Sequence, residues 1–90
     1  MPRYLVERTF PEGLSLHADD EGVQLCRLVV LNNLEHEVTW IHSYVSTDRK
    51  KTFCFYEAPS PEAIRNSARR NNLPVDRITR VTVLDPYFHR

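Results

Sequence analysis

Hydrophobic and polar positions follow two periods along this chain, and each period predicts one type of secondary structure. Alternating positions predict four β-strands, at residues 3–10, 38–46, 51–58 and 76–84. Apolar residues spaced three or four apart predict two helices, at residues 20–35 and 61–72. Ser60 followed by Pro61 supports the second helix, because serine caps a helix N-terminus and proline is tolerated at the first helical position.

The order of these elements, β-α-β-β-α-β, is that of a ferredoxin-like α+β sandwich. We expect one domain spanning residues 1–90, with the second and third strands joined by the short loop at residues 47–50. Right-handed crossovers place both helices on one face of the four-stranded antiparallel sheet. The other face is left uncovered, as in the dimeric α+β barrel type, where two sheets pack face to face.

The uncovered face is predicted to be rich in apolar and aromatic side chains. The first strand is expected to contribute Leu5, Glu7 and Thr9, the second Trp40, His42 and Tyr44, and the third Thr52, Cys54 and Tyr56. Such a surface is larger than a soluble monomer usually exposes, which predicts a homodimer through this face. The assignment depends on strand phase, since a slip of one residue exchanges the two faces.

Charge and composition narrow the classes of partner. The 12 basic and 12 acidic residues give a formal net charge of +0, which argues against a nucleic-acid or anionic-membrane partner. No apolar run approaches the roughly 20 residues of a membrane span, and the first residues lack the apolar core of a signal peptide. Cys26 and Cys54 lack the close spacing of cysteine pairs in zinc ribbons and redox motifs. We therefore expect reduced thiols in a cytoplasmic protein.

Three side chains of the predicted uncovered face point to metal chemistry. Glu7, His42 and Cys54 are expected to approach one another across three adjacent strands, and a carboxylate, an imidazole and a thiolate suit nickel or zinc. The same carboxylate and imidazole also suit proton transfer, with Tyr44 or Tyr56 as orienting donors. Simpler roles are an ion pair with a nearby arginine for Glu7, a dimer contact for His42 and apolar packing for Cys54.

Several short motifs resemble those of a known family. They are the opening Tyr4-Leu5-Val6-Glu7-Arg8-Thr9-Phe10, the block Phe53-Cys54 with Glu57-Ala58-Pro59, Pro61-Glu62-Ala63 and Leu73-Pro74. Together they resemble a bacterial family of small proteins of unknown function, typified by a dimeric, ferredoxin-like nickel-binding protein. The resemblance implies a cytoplasmic binding protein for nickel or a similar divalent ion.

The resemblance also bears on the ligands. Glu7 and Cys26 stand where the nickel-binding branch carries histidines, and both are able to bind a metal, whereas Ala68 stands at a third such position and is not. Cys54 matches the family directly. The metal-ligand candidates are therefore Glu7, His42, Cys54 and Cys26.

Two other classes of function stay open at this point. Dimers of this type include small monooxygenases and isomerases that hold an organic substrate. In such an enzyme Glu7, His42 and Tyr44 would supply acid–base and hydrogen-bonding groups, with Trp40 and Tyr56 as walls of the pocket. The other class is an interaction domain without a ligand. No catalytic motif in the sequence separates these classes.

Overall fold

The computed structural model of the protein describes residues 1–14 and 20–87. Its six elements are β1 (Arg3–Thr9), α1 (Asp20–Leu34), β2 (Thr39–Val45), β3 (Lys51–Glu57), α2 (Pro61–Asn71) and β4 (Arg77–Val81). The sheet is antiparallel, with the spatial order β2-β3-β1-β4. The ferredoxin-like α+β fold predicted from the sequence is confirmed.

Strand β4 is shorter than its sequence pattern predicts. It pairs with β1 from Glu7 opposite Arg77 to Arg3 opposite Val81. Because β1 begins at Arg3, the residues after Val81 have no β1 partner to pair with. Strand β4 therefore ends at Val81.

One face of the sheet and the two helices enclose the hydrophobic core. Val6 pairs with Cys54 and Tyr4 pairs with Tyr56, and all four side chains are buried. Ile64 of α2 packs into the same cluster. Since cross-strand partners project to the same face of a sheet, these contacts identify the face that the helices cover.

Helix α2 begins and ends at residues suited to those positions. The hydroxyl of Ser60 accepts a hydrogen bond of 3.3 Å from the backbone N–H of Ala63, and Pro61 follows as the first helical residue. Asn72 ends the helix in the left-handed conformation, with a φ of 57°. These signals in the sequence explain why the start of this helix is predicted correctly.

Helix α1 packs less deeply than its apolar composition predicts. Cys26 and Val29 are half-buried towards the sheet, whereas Leu28, Leu31 and Leu34 are exposed. The apolar stripe is therefore wider than the sheet surface it contacts. Neither described helix is long and apolar enough to cross a membrane.

The sequence pattern assigns the residues of β3 to the wrong faces of the sheet. Thr52, Cys54 and Tyr56 were expected on the uncovered face, but all three are buried on the helix side. The physical reason is the pairing of β3 with the core-facing residues of β1. The uncovered face of β3 carries Phe53 and Phe55 instead.

A β-bulge at Ile41 interrupts the alternation of β2 side chains between the two faces of the sheet. Trp40 pairs with Tyr56 on the helix side, and His42 pairs with Phe55 on the uncovered face, with Ile41 as the extra residue between them. The expected position of His42, and of Tyr44 after it, is therefore confirmed. The expected position of Trp40 is wrong, because the bulge separates it from His42.

Candidate functional site

The uncovered side of the sheet carries a cluster of aromatic rings. We call this surface the outer face; its central side chains are Leu5, Glu7, His42, Tyr44, Phe53 and Phe55. The ring centroids of His42 and Phe55 are 5.1 Å apart, and those of His42 and Tyr44 are 5.3 Å apart, edge to face. Tyr44 is 63 % exposed, so the cluster is open to solvent.

Glu7 lies on the outer face two strands away from His42. Its partner in β3 is Phe53, and Phe53 pairs in turn with Tyr44 of β2. Strands are spaced by about 4.8 Å, so the backbones of β1 and β2 are about 10 Å apart. Glu7 and His42 therefore share one surface without being direct neighbours.

A cavity of about 310 Å³ lies on the opposite side of the sheet, beneath α1. Its walls come from both strands and helices: Arg8, Phe10, Leu14, Leu25, Cys26, Val29, Trp40, Ser43, Val45, Thr52, Cys54, Tyr56, Asn71 and Leu73. Both cysteines line this space. Cys54 is thus separated by the sheet from Glu7 and His42, and the predicted three-residue cluster does not form.

Arg8 places a positive charge in the wall of this cavity. The residue is only 4 % exposed, and one guanidinium nitrogen donates a hydrogen bond of 3.3 Å to the hydroxyl of Tyr56. Its Nε is buried without a hydrogen-bond partner. Within residues 1–14 and 20–87, no ion pair involves Arg8.

The surroundings of Tyr56 show that the wall of the cavity is a poor environment for charge. Burial raises the pKa of the Tyr56 phenol to about 12, although the neighbouring Arg8 guanidinium acts in the opposite direction. The thiol of Cys54 donates a long hydrogen bond of 3.6 Å to the hydroxyl of Thr52. With the Tyr56 phenol protonated, the positive charge of Arg8 has no opposite charge among the described residues that line the cavity.

The bulge at Ile41 fixes the position of Trp40 in the cavity wall. The indole N–H of Trp40 donates a hydrogen bond of 2.8 Å to the hydroxyl of Ser43. Residues three apart in a regular strand project to opposite faces, so this contact depends on the extra residue at Ile41. The same local irregularity sends Trp40 to the cavity and His42 to the outer face.

Arg8 is a candidate that the sequence-based hypotheses leave out. A signal for it exists in the alternation of β1, where Tyr4, Val6 and Arg8 occupy the core-facing positions. A charged residue therefore stands where an apolar one is expected. Buried arginines normally have a partner for their charge, so such a position indicates a functional role.

Comparison with known proteins places this fold in a family. A family model described as "Nickel responsive protein SCO4226-like" matches residues 4–81. The chain belongs to the SCO4226-like family. Among solved structures, the crystal structure of SCO4226 from Streptomyces coelicolor A3(2) matches with a TM-score of 0.68 and 16 % identity, covering 90 % of this chain and 96 % of that one. No protein with a curated description matches the chain.

As a member of the SCO4226-like family, the chain distributes its candidate ligands over two surfaces. Glu7 and His42 lie on the outer face, and Cys26 and Cys54 line the cavity. In the described part of the chain, no three histidine, cysteine or acidic side chains are grouped closely enough to hold a metal ion. The four candidate ligands of this SCO4226-like protein therefore form two separate pairs within its described residues.

The groups expected for an enzyme are divided in the same way. Trp40 and Tyr56 line the cavity, as expected for walls of a pocket, whereas Glu7, His42 and Tyr44 lie on the outer face. The sheet separates the expected acid–base groups from the expected pocket. One chain does not assemble the enzyme site in the form that the sequence predicts.

Proposed function

We propose that the protein binds nickel or a similar divalent metal ion between the outer faces of two copies of the chain. The ligands in this proposal are Glu7 and His42 of each copy. The observation that carries it is the presence of a carboxylate and an imidazole on one uncovered sheet face. Imidazole nitrogen and carboxylate oxygen are both suitable ligands for first-row divalent ions. The family description, which names nickel responsiveness, supports the choice of metal.

The number of donors explains why two copies are needed. Four protein or solvent ligands are the minimum for a typical structural site of a divalent transition metal. Each outer face supplies two, and the described residues contain no larger group of such donors. A two-fold axis between paired faces presents every donor twice. Glu7 and His42 of two copies therefore supply a complete donor set.

The chemistry of the outer face supports pairing with a second copy. Phe53, Phe55 and Leu5 are only half-buried there, and Tyr44 is largely exposed. Packed sheets lie about 10 Å apart, which brings side chains from both faces into contact. Burial of these apolar side chains stabilises the homodimer, and the donors then lie inside a partly desolvated interface.

Cys26 and Cys54 do not belong to this proposed site. They line the cavity on the other side of the sheet, where the permanent positive charge of Arg8 repels a cation. Repulsion is stronger in a buried region than in water, since the effective dielectric constant is lower there. The outer face is the better location for a divalent ion.

Native mass spectrometry of chelator-stripped protein, titrated with nickel and with zinc, tests this proposal. We expect a dimer that takes up whole-number equivalents of nickel. Glu7→Ala and His42→Ala should each abolish uptake while the dimer persists. Uptake should weaken in acid, because histidine must be neutral to bind a metal.

Matched variants outside the outer face control for loss of charge or imidazole. His36→Ala removes a histidine that follows α1, and Glu12→Ala removes an exposed carboxylate next to β1. Neither change should alter uptake. A dimer that stays metal-free in excess nickel at neutral pH would contradict the metal proposal and favour the interaction-domain alternative. Loss of the dimer in His42→Ala would assign that histidine to the interface instead.

A further inference from the structure

We propose that the cavity beneath α1 binds a small organic monocarboxylate, with its charged end against the guanidinium of Arg8 and its apolar body against α1. This site lies on the opposite side of the sheet from the proposed metal site and shares no ligand with it. It is therefore independent of the nickel proposal, and either one can fail without the other.

The state of Arg8 is the first argument. Its guanidinium has five N–H donors, and the residue is only 4 % exposed, so few of them have access to water. One donates to the neutral hydroxyl of Tyr56, Nε donates to nothing, and no acidic side chain in the described residues pairs with the charge. A buried charge without a counter-ion is costly, so an anion in the cavity would offset that cost.

The geometry of the guanidinium selects the type of anion. Its planar fork of N–H groups matches the two oxygens of a carboxylate, which it binds with two parallel hydrogen bonds. Of the described residues that line the cavity, Arg8 is the only charged one. A single positive charge balances a carboxylate fully, whereas a doubly charged phosphate would keep a buried negative charge. The charge balance therefore favours a monocarboxylate.

The rest of the lining selects an apolar body for the ligand. Leu25, Val29, Trp40 and Leu73 are among the side chains that surround the space, and its volume of about 310 Å³ is modest. Pockets for drug-sized ligands span roughly 300 to 1,000 Å³, so this one suits a single ring or a short branched chain. Hydroxyl groups of Ser43, Thr52 and Tyr56 are available for further hydrogen bonds.

The position of Trp40 gives a direct test. It is the one tryptophan of the sequence and it lines the cavity, so its fluorescence reports on ligand entry. The probes are cyclohexanecarboxylate, its neutral counterpart cyclohexanecarboxamide, and inorganic phosphate, all transparent where tryptophan absorbs. We expect a saturable change with the carboxylate, affinity at least about tenfold weaker for the amide, and no saturation with phosphate.

Variants of Arg8 assign the effect to its charge. Arg8→Gln should weaken carboxylate binding at least about tenfold, and Arg8→Lys should retain part of it because a point charge replaces the planar fork. Arg77→Gln, which removes an exposed arginine from β4, should leave the affinity unchanged. Carboxylate affinity in Arg8→Gln equal to that of the original protein would overturn the proposal.

The unmodified protein keeps the test decisive if Arg8→Gln does not fold. Equal affinity for the acid and the amide would show that the cavity is merely apolar, and phosphate binding as tight as the carboxylate would show a general anion site. Absence of any saturable change with all three probes would also overturn the proposal. A preference for the carboxylate over the amide should disappear at low pH, where the carboxylate ligand becomes protonated and neutral. That result would support the proposal.

Discussion

The guanidinium of Arg8 donates a 3.3 Å hydrogen bond to the hydroxyl of Tyr56 inside the wall of the cavity. The carbon at the centre of the guanidinium also lies 5.6 Å from the centroid of the Tyr56 ring. A neutral phenol and its ring are thus the described partners of a buried positive charge. The stability of the protein should depend strongly on this tyrosine, both on its hydroxyl and on its protonation state.

Tyr56→Phe removes the hydroxyl and leaves the ring. We expect the free energy of unfolding to fall by about 2 kcal/mol, because a buried donor of a charged group loses its partner. Urea unfolding at neutral pH measures this change. Tyr4→Phe is the matched control: Tyr4 is buried to a similar extent, but the described hydrogen bond of Arg8 goes to Tyr56 and not to Tyr4. Equal losses in the two variants would show that the Arg8 contact adds nothing.

The raised pKa of Tyr56, about 12 against an ordinary value of 10.0, predicts a loss of stability in alkali. Below pH 10 the phenol is neutral in both states, and its contribution to stability is complete. Between pH 10 and 12 the unfolded chain releases the proton while the folded protein retains it. Stability therefore falls by about 1 kcal/mol for each pH unit in that window.

Two measurements check this pH dependence. Tyrosinate absorbance should show one of the four tyrosines titrating later than the others in the folded protein. Urea unfolding across the same window should show a shallower decline for Tyr56→Phe than for the original chain. Parallel declines would mean that another group, and not Tyr56, causes the alkaline loss.

Substitution of Tyr44 by glutamate tests whether the outer face is the dimer interface. Tyr44 is 63 % exposed, so Tyr44→Glu should have little effect on folding of one chain. Paired across a two-fold axis, the new charges would be desolvated and repel each other, so we expect dissociation by sedimentation equilibrium. Leu31→Glu is the control on α1, at a residue that is 60 % exposed. Dissociation by Leu31→Glu alone would place the interface on the helices.

Deletion of single residues in β2 tests the role of the bulge. Without Ile41 the strand becomes regular, while Trp40 still pairs with Tyr56 and His42 still pairs with Phe55. We expect a cost of no more than about 1 kcal/mol in the free energy of unfolding. Tryptophan emission and metal uptake should change little.

Deletion of Ser43 is the matched comparison. The most regular pairing then places Ile41 opposite Phe55 and moves His42 opposite Cys54, into the cavity beside Arg8. Burial of the imidazole should cost about 1 to 3 kcal/mol, and metal uptake should be lost. Similar behaviour of the two deletions, measured by urea unfolding and by nickel titration, would contradict the assigned register.

The fold could be predicted from the sequence because each element carries its own signal. Ser60 and Pro61 mark the start of α2, and the alternation in β1 correctly placed Val6 and Glu7 on opposite faces. Strand β3 lacks such a signal, since Phe53 and Cys54 both suit a buried surface. Its phase depends on long-range pairing with β1, which local pattern does not contain.

The candidate site was predicted only in part for a related reason. His42 and Glu7 were placed correctly on the outer face, but Trp40 was placed there too. The extra residue Ile41 is apolar like its surroundings, so nothing in the composition of β2 indicates a bulge. Arg8 was missed because its meaning depends on a cavity, and a cavity arises only when α1 and the sheet come together.

The bulge at Ile41 also affects how relatives of this protein compare with it. A strand with one extra residue can lose that residue while both neighbours still project to the same faces of the sheet. Family members are therefore expected to differ in length at this point. If a relative lacks the residue, matching the two chains position by position without a gap shifts every residue on one side of Ile41. Such a shift would match the outward-facing His42 with the relative's counterpart of the cavity-facing Ser43, and ligand positions transferred across it would fall on the wrong side of the sheet.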